Sequence, residues 1–125
     1  MKQILSEIQV NGVSYVPKDS IVGISPVADC AGLPLVILRT VNAGVHYGYL
    51  KSRTGGEATL IGARRLWYWS GAATLTQLAI DGPKNGDQCK FSKTITEITV
   101  LGVIEILPVS SKAHEVIAAI KEWSA

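Results

Sequence analysis

Residues 35–69, LVILRTVNAGVHYGYLKSRTGGEATLIGARRLWYW, decide the fold. LVILRT (35–40) is an unbroken apolar run closed by Arg39 and Thr40, the pattern of a central strand. VHYGYLKSR (45–53) alternates and runs into Thr54-Gly55-Gly56, a turn that sends the chain back through EATLIG (57–62). ARRLWYW (63–69) reads as a further strand by its aromatic content. Side chains alternate across a strand, which puts Arg65, Trp67 and Trp69 on one face and Arg64, Leu66 and Tyr68 on the other. The whole segment is an antiparallel meander.

Upstream, EIQVNGVSYV (7–16) places Asn11-Gly12 between two alternating runs, the dipeptide that a two-residue type I′ hairpin requires. Pro17 stops its second strand. Residues 1–17 are therefore expected to form an N-terminal hairpin, 18–34 a connection rich in Gly and Pro, and 35–125 the main body of a single domain. Downstream, Thr74-Leu75-Thr76-Gln77 has the spacing of a capping box and starts a short helix over 74–81, ended by Gly82-Pro83. PKNGDQ (83–88) is a polar loop. ITEITVLGVIEILP (95–108) gives one long or two short strands, with Gly102 at a bulge. Ser110 or Ser111 caps a last helix whose apolar stripe is Val116, Ile117, Ile120 and Trp123. The expected fold is α+β: a mostly antiparallel sheet with a short central helix and a C-terminal helix.

The chain has 125 residues, 47% hydrophobic and 18% charged, which suits one domain and excludes a disordered polyelectrolyte. No apolar stretch approaches the ~18 residues of a membrane span, so no membrane association is expected. Glu7 interrupts the N-terminal region where a signal peptide needs an apolar run, and a cytoplasmic location is expected. Cys30 and Cys89 form no CxxC pair and have no histidine at ligand spacing, so they read as free thiols and no metal site follows. Charge is uneven: residues 1–34 carry −1, residues 94–125 carry −2, and residues 35–93, with all four arginines, carry +5. An anionic partner belongs in that middle segment. So small a bias is not the basic stripe that coats duplex DNA.

Catalytic constellations do not emerge. His46 and His114 lie in no nucleophile or metal motif, His46 reading as structural or binding and His114 as solvated in a first helical turn. Glu97 and Glu105 read as solvated strand residues rather than a general acid–base pair. AGVHYG lacks the spacing and the lysine of a phosphate loop. A non-enzymatic protein without a cofactor is expected. What stands out is cations beside planar rings: Arg64, Arg65, Trp67, Tyr68 and Trp69, followed by Lys90-Phe91-Ser92-Lys93. Guanidinium groups grip phosphates and aromatic faces stack on bases. The same residues also suit a core in which the tryptophans are buried and the arginines meet acids.

VILRTVNAGVHYGYLKSR, GARRLWYWSGAATLTQLAIDG, QCKF and VIEILP resemble a family of small phage-encoded proteins that includes the Thoeris anti-defence 1 proteins. That resemblance implies a phage protein acting in the host cytoplasm as a sponge. It would bind a cyclic nucleotide immune signal (a cyclic ADP-ribose isomer, with cyclic oligonucleotides at separate sites) without cleaving it. It further implies a homo-oligomer, dimer or hexamer, with pockets where subunits meet. Transferred to this chain, Phe91 stacks on adenine while Arg39 and Arg65 neutralise the diphosphate. Asn42, His46, Arg64, Trp67, Trp69 and Lys90 complete the candidate ligand-binding set. The alternative is an accessory protein whose Arg and Trp residues contact a host or phage macromolecule, either a protein or single-stranded nucleic acid.

Overall fold

A computed structural model describes residues 28–29 and 32–125. The hairpin expected over 1–17 lies outside them. Seven strands are seen: β1 (Ala28–Asp29), β2 (Leu33–Thr40), β3 (Val45–Thr54), β4 (Glu57–Tyr68), β5 (Lys90–Phe91), β6 (Ile95–Leu101) and β7 (Val103–Pro108). Two α-helices, α1 (Leu75–Asp81) and α2 (Ser111–Ala118), and a 3₁₀ turn at Gly86–Gln88 complete the described chain. Every strand pairing is antiparallel, so the α+β class and the meander stand as read from the sequence. The boundaries differ in two places. The stretch assigned to a connection includes β1, which pairs Ala28 with Pro34 and Asp29 with Leu33. EATLIG and ARRLWY form one strand of 12 residues rather than two.

The sheet closes on itself through Gly102. β6 pairs with β4, from Glu57↔Leu101 to Ala63↔Ile95, and β7 pairs with β2, from Thr40↔Val103 to Val36↔Pro108. Between them Gly102 adopts φ +73, a left-handed conformation that lets one extended segment change partners. Gly102 O accepts from Val41 N (2.9 Å), and Val103 N donates to Gly56 O (2.9 Å), fixing the bend to both neighbouring turns. The meander β2-β3-β4 is thereby wrapped by its own C-terminal strand.

This closure explains the apolar run in β2. Leu35 and Ile37 face the helices, in a core with Tyr47, Leu66, Leu78, Phe91, Val109, Ala113 and Ile117. Val36 and Leu38 face the inside of the curved sheet, with Ala58, Leu60, Ala63 and Val100. Each of these four β2 side chains is at most 4% exposed, and each contributes roughly 1.5–3 kcal/mol by burial.

The helices start where their caps are. Thr74 accepts from Gln77 N (3.1 Å), while the Gln77 side chain reaches one residue past the cap to accept from Ala73 N (2.8 Å). Ser110 caps α2, accepting from Ala113 N (3.0 Å), and its own N–H donates to Ala79 O in α1 (3.0 Å). The C-terminal helix is shorter than its apolar stripe suggested: α2 ends at Ala118, and Ile120 and Trp123 lie beyond it. Gly82, at φ +75 past the end of α1, stands so close to α2 that a Cβ there would come 2.8 Å from Val116 Cβ.

Two substitutions should separate strain from crowding. Gly102→Ala, with no neighbour closer than 3.8 Å, is expected to lose about 1–2 kcal/mol from its positive φ alone. Gly82→Ala is expected to lose more, because its methyl also overlaps Val116. Urea denaturation of the two variants checks the order.

Candidate functional site

Alternation along β4 sends its two arginines to opposite sides of the sheet. Arg64 lies opposite Tyr47 of β3 and points toward α2, only 5% exposed. Its guanidinium donates from Nε to Ser92 O (2.9 Å), from Nη1 to Ile117 O (3.0 Å) and from Nη2 to Phe91 O (3.3 Å). It also stands 5.6 Å from the centre of the Phe91 ring. Burial pulls its pKa below the ordinary arginine value, while Glu122 and then Tyr47 act in the opposite direction. The carbonyl of Ile117, in the last turn of α2, is the negative end of a helix dipole and suits a cation. Arg64 is thus a structural clamp between β4, the exit of β5 and the end of α2. Phe91 is 0% exposed in the helix-side core, so neither Arg64 nor Phe91 presents a free surface for a ligand.

Arg65 takes the other face. It lies opposite His46, is exposed, and has no ion-pair partner among the described residues. Ser92 holds its peptide unit from both ends: Arg65 N donates to Ser92 Oγ (2.8 Å) and Ser92 N donates to Arg65 O (2.9 Å). This exchange places Lys93, also exposed and without an ion-pair partner among the described residues, beside Arg65. His46, Ala63, Arg65, Lys93, Ile95, Ile98 and Trp123 line a cleft of about 410 Å³. Arg64 contributes to its wall. Its apolar floor is the inner face of the sheet, and its rim carries the cations. Glu122, next to Trp123, accepts from Thr94 N (3.3 Å).

His46 is 1% exposed and its Nε2 lies 2.8 Å from Ala43 O. A carbonyl only accepts, so Nε2 carries the proton. Burial pulls the His46 pKa below its ordinary value of 6.5; the bond to Ala43 opposes the shift, and Arg65 adds to it. The histidine thus enters the cleft as a neutral ring. His114, expected to be solvated, instead packs parallel to Tyr47, with Nδ1 2.6 Å from the phenol oxygen. Burial first, then Tyr49, pushes the Tyr47 pKa up, so the phenol keeps its proton in the hydrogen bond with His114.

The remaining candidates scatter. Arg39 alternates with Leu35 and Ile37 on the helix-bearing face and pairs with Glu105 on β7 (3.0 Å), away from Arg65. Asn42 is exposed in the β2–β3 turn, where Thr40 Oγ1 accepts from Ala43 N (2.7 Å) and donates to Gly44 O (2.9 Å). Trp69 lies one residue past β4 and packs half-buried on the helix-side core instead of beside Trp67. Trp67 is 64% exposed and stacks on Trp123, and Lys90 Nζ lies 5.3 Å from the Trp123 ring. His46 and Arg65 therefore meet in one cleft, with Trp67 and Lys90 joined to it through Trp123. Sequence reading had placed Trp123 on a helix; its nearness to β5 depends on where α2 ends. Cys89 is a buried free thiol, its pKa raised chiefly by burial. No group of three His, Cys, Asp or Glu with metal-site geometry is found among the described residues.

Two measurements test these roles. Arg64→Met should lose at least about 2 kcal/mol of stability by stranding three carbonyls, whereas Arg65→Ala should stay within about 0.5 kcal/mol of the parent. His46 gives a pH signature. Its folded pKa is depressed, so below about pH 6.5 the unfolded chain takes up a proton that the folded chain resists, and stability falls. Relative to His46→Gln, the parent should lose stability as pH drops from about 7.5 to about 5.5 and show no difference in slope above that range. Paired denaturation curves read both effects.

No curated protein and no solved structure matches the chain. Residues 33–117, which run from the start of β2 into α2, match the profile of a domain of unknown function, DUF6948. The match takes in all of the closed sheet and both helices but the last residue of α2, and on that basis the chain belongs to the DUF6948 family.

Proposed function

We propose that this protein binds a nucleotide-like anion in the cleft beside Arg65 and Lys93 and holds it without breaking a bond. One observation carries the reading. Two exposed cations without acidic partners among the described residues flank a cleft of about 410 Å³ that opens beside exposed indole rings. Phosphate groups need the cations, and a base needs the apolar, aromatic surface. The resemblance of its sequence to phage anti-defence proteins supports the more specific form. In it, the ligand is a cyclic nucleotide immune signal, such as a cyclic ADP-ribose isomer, and the protein is a sponge in the host cytoplasm. Homo-oligomeric assembly, as dimers or hexamers, belongs to the same proposal.

A second reading, a surface for single-stranded nucleic acid or a protein partner, has its own support. Trp67 and Tyr68, neighbours on opposite faces of β4, are 64% and 51% exposed. Such exposure suits successive bases or a partner chain as well as a small ligand.

Thermal denaturation with cyclic ADP-ribose isomers and cyclic di- and trinucleotides separates the two. The sponge reading expects a large upward shift with intact ligand recovered on heating, since binding to the folded state alone adds about 2.7 kcal/mol at a hundredfold excess over Kd. Arg65→Ala and Lys93→Ala should each reduce the shift. Recovery of altered ligand would make the protein an enzyme. Salt-sensitive binding to oligonucleotides without any response to small cyclic nucleotides would favour the second reading.

A further inference from the structure

Beyond α2 the chain turns back along β5. Trp123 N donates to Phe91 O (2.8 Å), Glu122 bridges Phe91 in parallel, and Glu122 accepts from Thr94 N. This return holds the Trp123 indole nearly parallel to that of Trp67, with 10° between planes and 6.5 Å between ring centres. Yet the two rings are 49% and 64% exposed. A pair so exposed gains only part of the burial that a core pair gains, and keeps ring surface open to a ligand. These rings face each other at the surface, and Trp123 forms part of the wall of the cationic cleft.

The spacing is informative. A flat ring sandwiched between two others needs about 7 Å, twice the roughly 3.5 Å contact distance between carbon atoms. The separation of ring centres, 6.5 Å, is an upper limit on the present distance between planes. A planar ring therefore enters only after Trp123 moves outward. Residues 121–125 are all exposed. The contacts that must yield are the backbone bridge of Glu122 and Trp123 to Phe91, the hydrogen bond from Thr94 N to the Glu122 carboxylate, and the contacts of the Trp123 ring with Trp67 and Lys90.

We infer that Trp67 and Trp123 are the two jaws of an aromatic clamp for the base of the bound ligand, with Arg65 and Lys93, which line the same cleft as Trp123, receiving its phosphates. The clamp rests on the nucleotide reading above and makes the segment after α2 part of the binding site. Lys90, over the Trp123 ring, holds that jaw against β5 in the empty state.

The test compares cyclic ADP-ribose with inorganic pyrophosphate, which lacks a base, by calorimetry on the full chain. Circular dichroism confirms that each variant is folded. Trp123→Ala is expected to weaken cyclic ADP-ribose about tenfold or more and to leave pyrophosphate unchanged. Trp123→Phe should restore most of the loss, and Arg65→Ala should weaken both ligands. If Trp123→Ala binds cyclic ADP-ribose as well as the parent or better, while Arg65→Ala does not, the clamp is wrong and the nucleotide site stands. No binding by the parent of cyclic ADP-ribose isomers or of cyclic di- and trinucleotides overturns both.

Discussion

A single buried guanidinium holds the second half of this protein in place. Arg64 satisfies the carbonyls of Phe91, Ser92 and Ile117, and so ties the exit of β5, itself paired with β4 at Leu66, to the last turn of α2. A lysine has three donors on one atom and a strongly hydrated charge; the planar fork of arginine spreads its donors over separate acceptors and is desolvated more cheaply. Because α2 and the exit of β5 are both anchored to Arg64, the return of the chain along β5 has a fixed starting point. The cleft on the opposite face inherits its shape from this arrangement. Ser92, which gives its carbonyl to Arg64, gives its hydroxyl to the backbone of Arg65. Adjacent arginines thus do opposite work: one fixes the frame, and the other is left at the surface.

The closed sheet sets where a ligand could sit. Strands β2, β3 and β4 curve around the small inner core, and the bend at Gly102 brings the last long segment across to β2. At the mouth of this curve His46 and Ala63 supply a dry floor, and the polar residues after β5 form one side. A neutral histidine in that floor does not repel cations at the rim as an imidazolium would. The acids nearest the arginines on β2 and β4 are unevenly shared. Glu105 is taken by Arg39, whereas Arg65 faces none among the described residues.

Much of this was legible in the residues, and the failures have physical reasons. The apolar run 35–38 announced a strand buried on both sides, the turn at Gly55-Gly56 announced the meander, and Thr74 with Gln77 announced α1 within one residue. Alternation correctly separated Arg64 from Arg65. It did not say which face was inside, because aromatic residues flank both, and Trp67 proved to be on the open side. Phe91, between two lysines and assigned to adenine by resemblance, is turned into the helix-side core by its pairing with Leu66 on β4. The stripe through Trp123 had helical spacing, yet α2 stops at Ala118, and the residues beyond it follow β5 instead. Spacing reports what a helix would bury if it continued, and tertiary contacts decide whether it does.

The partner exchange at Gly102 also governs how the chain must acquire its shape. β2 and β3 adjoin through a short turn, but Arg39 meets Glu105 from 66 positions away. Until β7 arrives, one edge of β2 and the inner core beneath it stay open to water. Closing such a long loop costs entropy before any of the pairing that rewards it forms. Folding should therefore be limited by this late, non-local step, on the order of milliseconds to seconds rather than the microseconds of helical bundles. During synthesis, the apolar strand β2 stays uncovered along that edge until the chain has been made through β7.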